Sequence, residues 1–306
     1  MNRESIVGMS VWLALLAVAP WFHGINTVER LFLFAPLVIV PLGFALISPR
    51  KLEERPVLLT RAVQLQPAAA LLLIVGFLPD AKLSVALFTL PWVTVCALAA
   101  LHGVANVRRR GVQFEPVVLL CATVYLFVGS CWLFLSRAGM NPAGFQEPIV
   151  LLTAVHFHYS GFAAVVITNQ LASRCARSRS LVAVAQSFCV GTILAIALIA
   201  AGFVFSPLLK VVSVFFLITS LAGAALLTLW ISQDLRPHAG RVRLRVSSGA
   251  VLAGLALAAL YAVGEFDGRP VIGLSEMAVL HGSFNGLGFA FCGMWGWNLV
   301  AAKEAS

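Results

Sequence analysis

The chain has 306 residues, of which 60% are hydrophobic and 11% are charged, and its mean hydropathy is +0.96. This composition excludes an ordinary soluble domain and indicates a protein that crosses a membrane several times. The net charge of +9 arises from 21 basic and 12 acidic residues. Because Lys and Arg in short loops set membrane topology, we interpret this excess as a topology signal and expect no nucleic-acid partner.

Apolar segments recur along the whole chain, each of about 17 to 25 residues, the length that crosses a bilayer as a helix. They predict an all-α, polytopic membrane helix bundle that forms a single transmembrane domain over residues 1–306. Ten segments have this character, at approximately 6–22, 30–47, 58–78, 84–105, 116–136, 148–170, 181–204, 208–231, 247–264 and 276–298.

Two of these segments have alternatives. The first ends in Ala17-Val18-Ala19, which is typical of a signal-peptide cleavage site, but Pro20 directly after it disfavours cleavage. We therefore expect a spanning helix there. The third segment is the weakest, because Arg61, Gln64 and Gln66 lie in its first turns, and a count of nine spans is the alternative.

Basic residues alternate between the two sides of the predicted bundle. Loops after odd-numbered segments hold few, Arg137 among them, and loops after even-numbered segments hold clusters: Arg50, Lys51, Arg55 and Arg61; Arg108, Arg109 and Arg110; Arg174, Arg177 and Arg179; Arg236, Arg241, Arg243 and Arg245. Because basic loops stay cytoplasmic, this alternation predicts ten spans, cytoplasmic termini and a multi-pass protein of the cell inner (plasma) membrane. The longest predicted loop is polar and runs from Ser232 to Ser248.

The sixth segment carries the densest set of polar side chains within an apolar run. Glu147 lies at its start, and His156, His158 and Tyr159 lie near its middle. Ionisable residues inside a bilayer are costly and mark functional sites. Helical geometry puts Glu147 and His158 on one face, about 16 Å apart along the axis. His156 faces a different neighbour from His158 and shares its face with Tyr159, which offers it a hydrogen bond.

The tenth segment supplies a second polar set. It begins near Glu276, and His281 and Asn285 follow one helical turn apart on the same face. Gly288 beneath them allows a helix or a ligand to approach the backbone closely, and Trp295 lies further along. A similar His-Gly-x-x-Asn pattern occurs at residues 102–106, and whether it reflects a repeat stays open.

Because segments six and ten both start on the predicted outer side, we expect an outward-opening pocket between them. His156 and His158 would form its floor, and Glu147 and Glu276 its rim. Proximity of several ionisable groups at one depth argues against a purely structural role for all of them, since burying each of them is costly.

Two stretches carry a resemblance to a known family. Residues 156–162 read His-Phe-His-Tyr-Ser-Gly-Phe, and residues 281–289 read His-Gly-Ser-Phe-Asn-Gly-Leu-Gly-Phe. Together with the hydropathy pattern, they resemble the YndJ-like family of bacterial integral membrane proteins. The resemblance implies a polytopic membrane protein in which these residues matter, and it implies no particular activity.

The residues favour an enzyme that isomerises or cyclises a lipophilic, isoprenoid-type substrate. A carboxylic acid at the mouth of an apolar pocket can act as a general acid, a neutral histidine can take a proton back, and aromatic faces can stabilise a cation. We expect Glu147 to be the acid and His158 the base, with His156 beside it and Glu276 as a second acid. The substrate contacts are expected from Tyr159, His281, Asn285 and Trp295. This chemistry looks like the general strategy of integral-membrane terpene cyclases, without matched motifs.

The alternative is a proton- or ion-coupled transporter, or a lipid-binding protein, that uses the same groups. Transport needs polar residues through both leaflets, and the inner halves of segments six and ten are nearly all apolar apart from Thr168, Asn169 and Asn298. We expect no cofactor, and the helical geometry disfavours a metal held at His156, His158 or His281. The expected partners are a lipophilic small-molecule substrate and membrane lipids, and the oligomeric state is open.

Overall fold

The structure is a computed structural model that describes residues 1–18, 25–48, 56–77, 82–175 and 178–304, and all regular structure in these ranges is helical. Ten long helices follow one another: α1 Arg3–Val18, α2 Thr27–Ile47, α3 Val57–Phe77, α4 Leu83–Arg110, α5 Phe114–Arg137, α6 Ile149–Arg174, α7 Arg179–Phe205, α8 Pro207–Ile231, α9 His238–Phe266 and α10 over residues 274–304. Of the residues discussed above, Ala19, Pro20, Arg50, Lys51, Arg55 and Arg177 lie outside the described ranges.

Within the part of the chain that the structure describes, eight helices, α2 to α9, are long and apolar enough to cross a membrane. The predicted all-α membrane helix bundle is therefore confirmed. Each of the ten predicted segments overlaps one helix, because runs of this length and hydropathy satisfy their backbone hydrogen bonds in lipid only as helices. The number of spans that cross a bilayer and the side on which the termini lie stay predictions.

The predicted polar loop from Ser232 to Ser248 is wrong, because most of it is helical. A short 3₁₀ turn spans Ser232–Asp234, and α9 begins at His238. The basic side chains allow this by bonding back to the end of the neighbouring helix: Arg241 donates to the Gln233 carbonyl at 3.1 Å and Arg245 to the Ser232 hydroxyl at 3.1 Å. Long cationic side chains extend along a helix to reach polar partners, so a basic run is compatible with a helix end.

Among the described residues, three helices contain a π-helical segment, a wider turn that is often found at functional sites. The segments are Ala35–Ile39 in α2, Phe157–Ala164 in α6 and Phe284–Phe291 in α10. The two helices in which the sequence placed its polar sets, α6 and α10, are therefore two of these three. The third, α2, received no functional assignment from the sequence.

Contacts divide the chain into two compact units, Met1–Ala163 and Ala164–Ser306, and the boundary falls within α6. In the first unit α2 is buried along most of its length, with Phe32, Leu33 and Phe34 fully inaccessible. A helix that is apolar on every side is expected at the centre of a bundle. Aromatic side chains from α4 and α6, Trp92 and Phe162, complete this core.

The second unit is packed through small residues and closed by ion pairs at helix ends. Gly288 of α10 lies against Ala250 of α9, as expected for close helix approach at a glycine. Lys210, near the start of α8, pairs with Glu265 of α9 at 2.8 Å. Arg174, at the end of α6, pairs with Glu304 of α10 at 3.3 Å.

The third predicted segment, weak in sequence, is anchored by one of its polar residues. Pro41 has no N–H, so the carbonyl of Pro36 in the π-helical segment of α2 lacks its usual i+5 donor. The buried side chain of Gln66 in α3 donates its Nε2–H to that carbonyl at 2.6 Å. Arg61 and Gln64 on the same helix are exposed. Gln66, which lowers the hydropathy of the third predicted segment, thus supplies the hydrogen bond that the π-helical segment of α2 lacks.

This contact predicts a difference between two glutamines on one helix. Gln66→Leu keeps the side-chain size and leaves the Pro36 carbonyl buried without a donor, which costs about 1–3 kcal/mol. We expect a lower thermal unfolding midpoint in detergent for Gln66→Leu. Gln64→Leu, at an exposed position, serves as the matched control and should leave the midpoint almost unchanged. Equal midpoints for the two variants would contradict the anchoring role.

Candidate functional site

A buried ion pair joins the end of α5 to the start of α2. Arg137 Nη1 lies 3.3 Å from Glu29 Oε1, and the two side chains are only 7% and 11% exposed. Arg137 also donates from Nε to the Gly76 carbonyl at the end of α3 at 3.0 Å, and its guanidinium lies 4.8 Å from the centre of the Phe77 ring. Arg137, counted from the sequence as an outer loop charge, is therefore an interior residue that holds three helices together.

Glu147 continues this network from the start of α6. Its Oε1 accepts a hydrogen bond from the Ser136 hydroxyl at 2.5 Å, and its Oε2 accepts one from the Leu151 backbone N–H at 3.2 Å. Glu147 is exposed and lies close enough to Glu29 for the two carboxylates to interact electrostatically. We call Glu29, Ser136, Arg137 and Glu147 the carboxylate cluster.

The chain places each charge of the carboxylate cluster at a helix end that favours it. Glu29 lies in the first turn of α2, where it forms a capping box with Asn26, and Glu147 bonds the first turn of α6. Arg137 is the last residue of α5. Helix dipoles favour carboxylates at N-termini and cations at C-termini, so alternating helix directions bring opposite charges to one end of the unit.

His158 lies in the interior of the first unit and is fully buried. The Trp92 indole N–H of α4 donates to His158 Nε2 at 3.1 Å, and His158 Nδ1 lies 2.8 Å from the Ala154 carbonyl. An indole nitrogen only donates and a carbonyl only accepts, so Nε2 carries the lone pair and Nδ1 carries the proton. His158 is thus a neutral imidazole with both nitrogens bonded. The Trp92 bond has to break before Nε2 can accept a proton.

Aromatic rings and a glycine shape the space around His158. The Trp92 ring is stacked on it with a centroid separation of 6.0 Å, and the Phe32 edge meets it at 5.0 Å. Gly129 of α5 faces the imidazole, and a Cβ there would lie 2.9 Å from His158 Nδ1. The glycine therefore lets α5 approach the histidine closely.

His156 and Tyr159 separate in the structure. The Tyr159 hydroxyl is directed into the unit and donates to the Leu31 carbonyl of α2 at 2.7 Å. His156 is exposed, and its Nδ1 lies 2.8 Å from the Leu152 carbonyl one turn earlier. The π-helical segment begins at Phe157 and changes the regular helical register on which the expected pairing of the two residues depended. His156 and His158 do face different surroundings, as the sequence indicated.

The polar residues of α10 bond to the backbone of α9 and α10. Glu276 is exposed and accepts from the Gly273 N–H at 2.8 Å, which caps the helix start. His281 donates from Nδ1 to the Gly254 carbonyl of α9 at 2.9 Å, and Asn285 donates to the His281 carbonyl at 2.8 Å. His281 and Asn285 therefore share a face, as predicted, and that face is turned toward α9.

Trp295 lies far from the other residues of α10 that were assigned to the site. It is about 20 Å further along the helix than His281, and the Arg243 guanidinium of α9 lies 3.6 Å from its ring centre. Trp295 thus packs against a basic side chain of α9, away from His281 and Asn285.

The predicted site residues fall into both units. The first unit contains Glu147, His156, His158 and Tyr159, and the second contains Glu276, His281, Asn285 and Trp295. A single pocket formed by all of them stays a prediction. In the first unit the structure links Glu147 with Glu29 and Arg137. Over the described ranges, no group of three His, Cys, Asp or Glu side chains is placed to hold a metal ion.

The sequence matches the profile of the family described as YndJ-like protein over residues 30–289, which include Arg137, Glu147 and His158. The chain belongs to the YndJ-like family. It is similar to the uncharacterized membrane protein YndJ of Bacillus subtilis (strain 168), with 27% identity over 310 residues that cover 99% of this chain and 54% of that relative. The chain thus spans about half the length of the curated relative. No solved structure matches it.

Three residues of this YndJ-like chain that shape the site were missed from the sequence: Glu29, Arg137 and Trp92. For Glu29 a signal exists, because a glutamate precedes a Gly-Phe-Ala triplet in all three helices with π-helical segments. The spacing from Glu to Gly is 14 residues (29 to 43, 147 to 161) in α2 and α6 and 12 residues (276 to 288) in α10. This shared spacing identifies Glu29 as the counterpart of Glu147. For Arg137 and Trp92 we find no comparable signal.

The ion pair predicts a specific pattern of stabilities. Arg137→Gln leaves the Glu29 carboxylate buried without its cation, which costs about 3–5 kcal/mol. We expect a large fall in the thermal unfolding midpoint for Arg137→Gln and for Glu29→Gln alone. The double variant should recover much of the loss, because no buried charge is left uncompensated. Additive losses in the double variant would contradict direct pairing.

The bond between Trp92 and His158 can be tested in the same way. Trp92→Phe removes the indole donor and leaves buried Nε2 without a partner, at a cost of about 1–3 kcal/mol. We expect its unfolding midpoint to fall well below that of Trp132→Phe, a matched tryptophan on α5 that is only half-buried. Nitrogen-15 NMR of labelled histidine should show the Nδ1–H tautomer in the intact protein. Detection of the Nε2–H tautomer would refute the assignment.

Proposed function

We propose that this protein is an integral enzyme of the inner (plasma) membrane that isomerises or cyclises a lipophilic, isoprenoid-type substrate by acid–base chemistry. The observation that carries the proposal is the carboxylate cluster, in which two carboxylates that interact electrostatically have different environments. Glu29 is buried and ion-paired with Arg137, whereas Glu147 is exposed and bound by a neutral hydroxyl and a neutral amide. Pairs of carboxylates in contrasting environments are typical of acid–base sites.

The contrast assigns different roles to the two carboxylates. In the proposed reaction Glu147, in its protonated form, donates a proton to a double bond of the substrate and becomes a carboxylate. Arg137 neutralises Glu29, so that this second carboxylate does not add an uncompensated charge beside the reacting group. Loss of a different proton from the substrate cation then yields a product of unchanged mass.

The interior beneath the cluster supplies the other requirements. Trp92 and Phe32 present aromatic surface that can stabilise a carbocation, and the surrounding helix α2 is apolar. His158 is neutral and can accept the proton lost from the substrate once Trp92 releases Nε2. The proposed substrate enters from the bilayer, since the helices facing lipid expose apolar side chains.

Proton- or ion-coupled transport is the second candidate, and one observation favours it. Buried hydroxyl groups occur in the second unit on helices other than α6 and α10, namely Thr228 on α8 and Ser247 and Ser248 on α9. Polar groups in this part of a membrane protein are expected along an ion or proton route. The part of the helices that is predicted to lie in the inner leaflet is therefore less uniformly apolar than the sequences of α6 and α10 alone indicate.

The proposal predicts a product that depends on Glu147. Lipophilic extracts of cells expressing the intact protein should contain a compound of unchanged mass and altered retention in chromatography with mass spectrometry. Glu147→Gln removes the acid and should abolish the compound, whereas Glu115→Gln, at an exposed position paired with Arg110, should retain it.

Equal membrane levels of the variants are the control for expression. Formation of the compound by Glu147→Gln at an undiminished rate would refute the assigned acid. If no compound distinguishes the intact protein from cells without it, proton flux in liposomes is the measurement that separates transport from catalysis.

A further inference from the structure

A small cavity in the second unit is lined by polar side chains from four helices. Its volume is about 10 Å³, enough for one water molecule. The polar residues that line it are Thr168 of α6, Thr228 of α8, Ser247 and Ser248 of α9, and Trp297 of α10, and the remaining lining is apolar. Each of the five is buried.

The indole of Trp297 is the exceptional group in this cavity. Trp297 is fully buried, and its Nε1–H has no hydrogen-bond partner among the described residues. A buried donor without a partner is costly, so native structures usually satisfy it with protein or with ordered water. The indole nitrogen therefore requires an acceptor.

Three hydroxyl groups of the cavity already donate their hydrogens and can only accept a further hydrogen bond. Thr168, Thr228 and Ser247 donate their hydroxyl hydrogens to the carbonyls of Ala164, Ala224 and Phe289 at 2.8 to 2.9 Å. Each hydroxyl oxygen then keeps lone pairs that can only accept. The cavity is thus lined by a donor that lacks a partner, the Trp297 indole, and by several hydroxyl oxygens that can accept, around a space for one water.

We propose that this cavity is a binding site for a single structural water. The water accepts a hydrogen bond from Trp297 Nε1 and donates its two hydrogens to hydroxyl oxygens among Thr168, Thr228 and Ser247. Such a water makes three hydrogen bonds, the usual number for a buried water. It joins α10 to helices α6, α8 and α9.

The water site lies next to charged side chains at two helix ends. The Arg174 guanidinium lies 4.8 Å from the Trp297 ring centre, and Arg174 pairs with Glu304 at the end of α10. The water therefore binds next to the charged ends of α6 and α10, where the sequence predicts the cytoplasmic side. The inference is independent of the proposed catalytic function.

The test is the contact between the Trp297 indole proton and water. In protein labelled with nitrogen-15 at its tryptophan indoles, the Trp297 signal is assigned by its absence in Trp297→Phe. We expect magnetisation transfer from water to this proton despite its burial. The Trp92 indole, equally buried and bonded to His158, is the matched control and should show no transfer.

A variant of the acceptors completes the experiment. Thr168→Val, Thr228→Val and Ser247→Ala combined remove all three acceptors and leave Trp297 in place, so the transfer should be lost while the Trp92 signal keeps its position. No transfer at Trp297 in the intact protein overturns the proposal. Transfer that persists in the triple variant also overturns it, since the water would then not be held by these hydroxyls.

Discussion

The buried ion pair between Arg137 and Glu29 is the constraint on which the first unit depends. Two charges removed from water are tolerated only when they pair and when their other hydrogen-bonding groups are satisfied. Arg137 meets this condition with the Glu29 carboxylate, the Gly76 carbonyl and the Phe77 ring. The ends of α2, α3 and α5 are thereby fixed relative to one another, and the adjacent Ser136 extends the network to Glu147 and α6.

A second layer of polar contacts lies in the aromatic interior of the same unit. His158 is bonded by Trp92 and by the Ala154 carbonyl, and Tyr159 is bonded to α2. Both residues belong to a π-helical segment in which nearly every side chain is buried. These bonds satisfy the polar groups in the resting structure. They also define the event that acid–base chemistry would need, which is release of His158 Nε2 by the indole.

The same sequence pattern follows three glutamates of this YndJ-like chain. The same order of a glutamate followed by Gly-Phe-Ala occurs in α2, α6 and α10, and in each case the glutamate bonds a backbone N–H near its helix start. Glu29 and Glu147 differ in their surroundings, because Glu29 is buried beside a guanidinium and Glu147 is exposed beside a hydroxyl. That difference in surroundings is the basis on which we propose an acid role for Glu147 and a charged supporting role for Glu29.

The sequence by itself determined the helices, because apolar runs long enough to cross a bilayer have no other way to satisfy their backbone. It also identified Glu147, His158, His281 and Asn285 as polar residues of interest, since few such residues occur in the apolar runs. Only the tertiary structure decided their partners. Arg137 looked like a loop charge because helical periodicity says nothing about which helix ends meet. Trp92 carried no signal in the sequence, and only the folded structure brings its indole to His158. The basic run after Ser232 failed as a loop for a related reason, since its arginines find acceptors on a neighbouring turn that the chain order does not reveal.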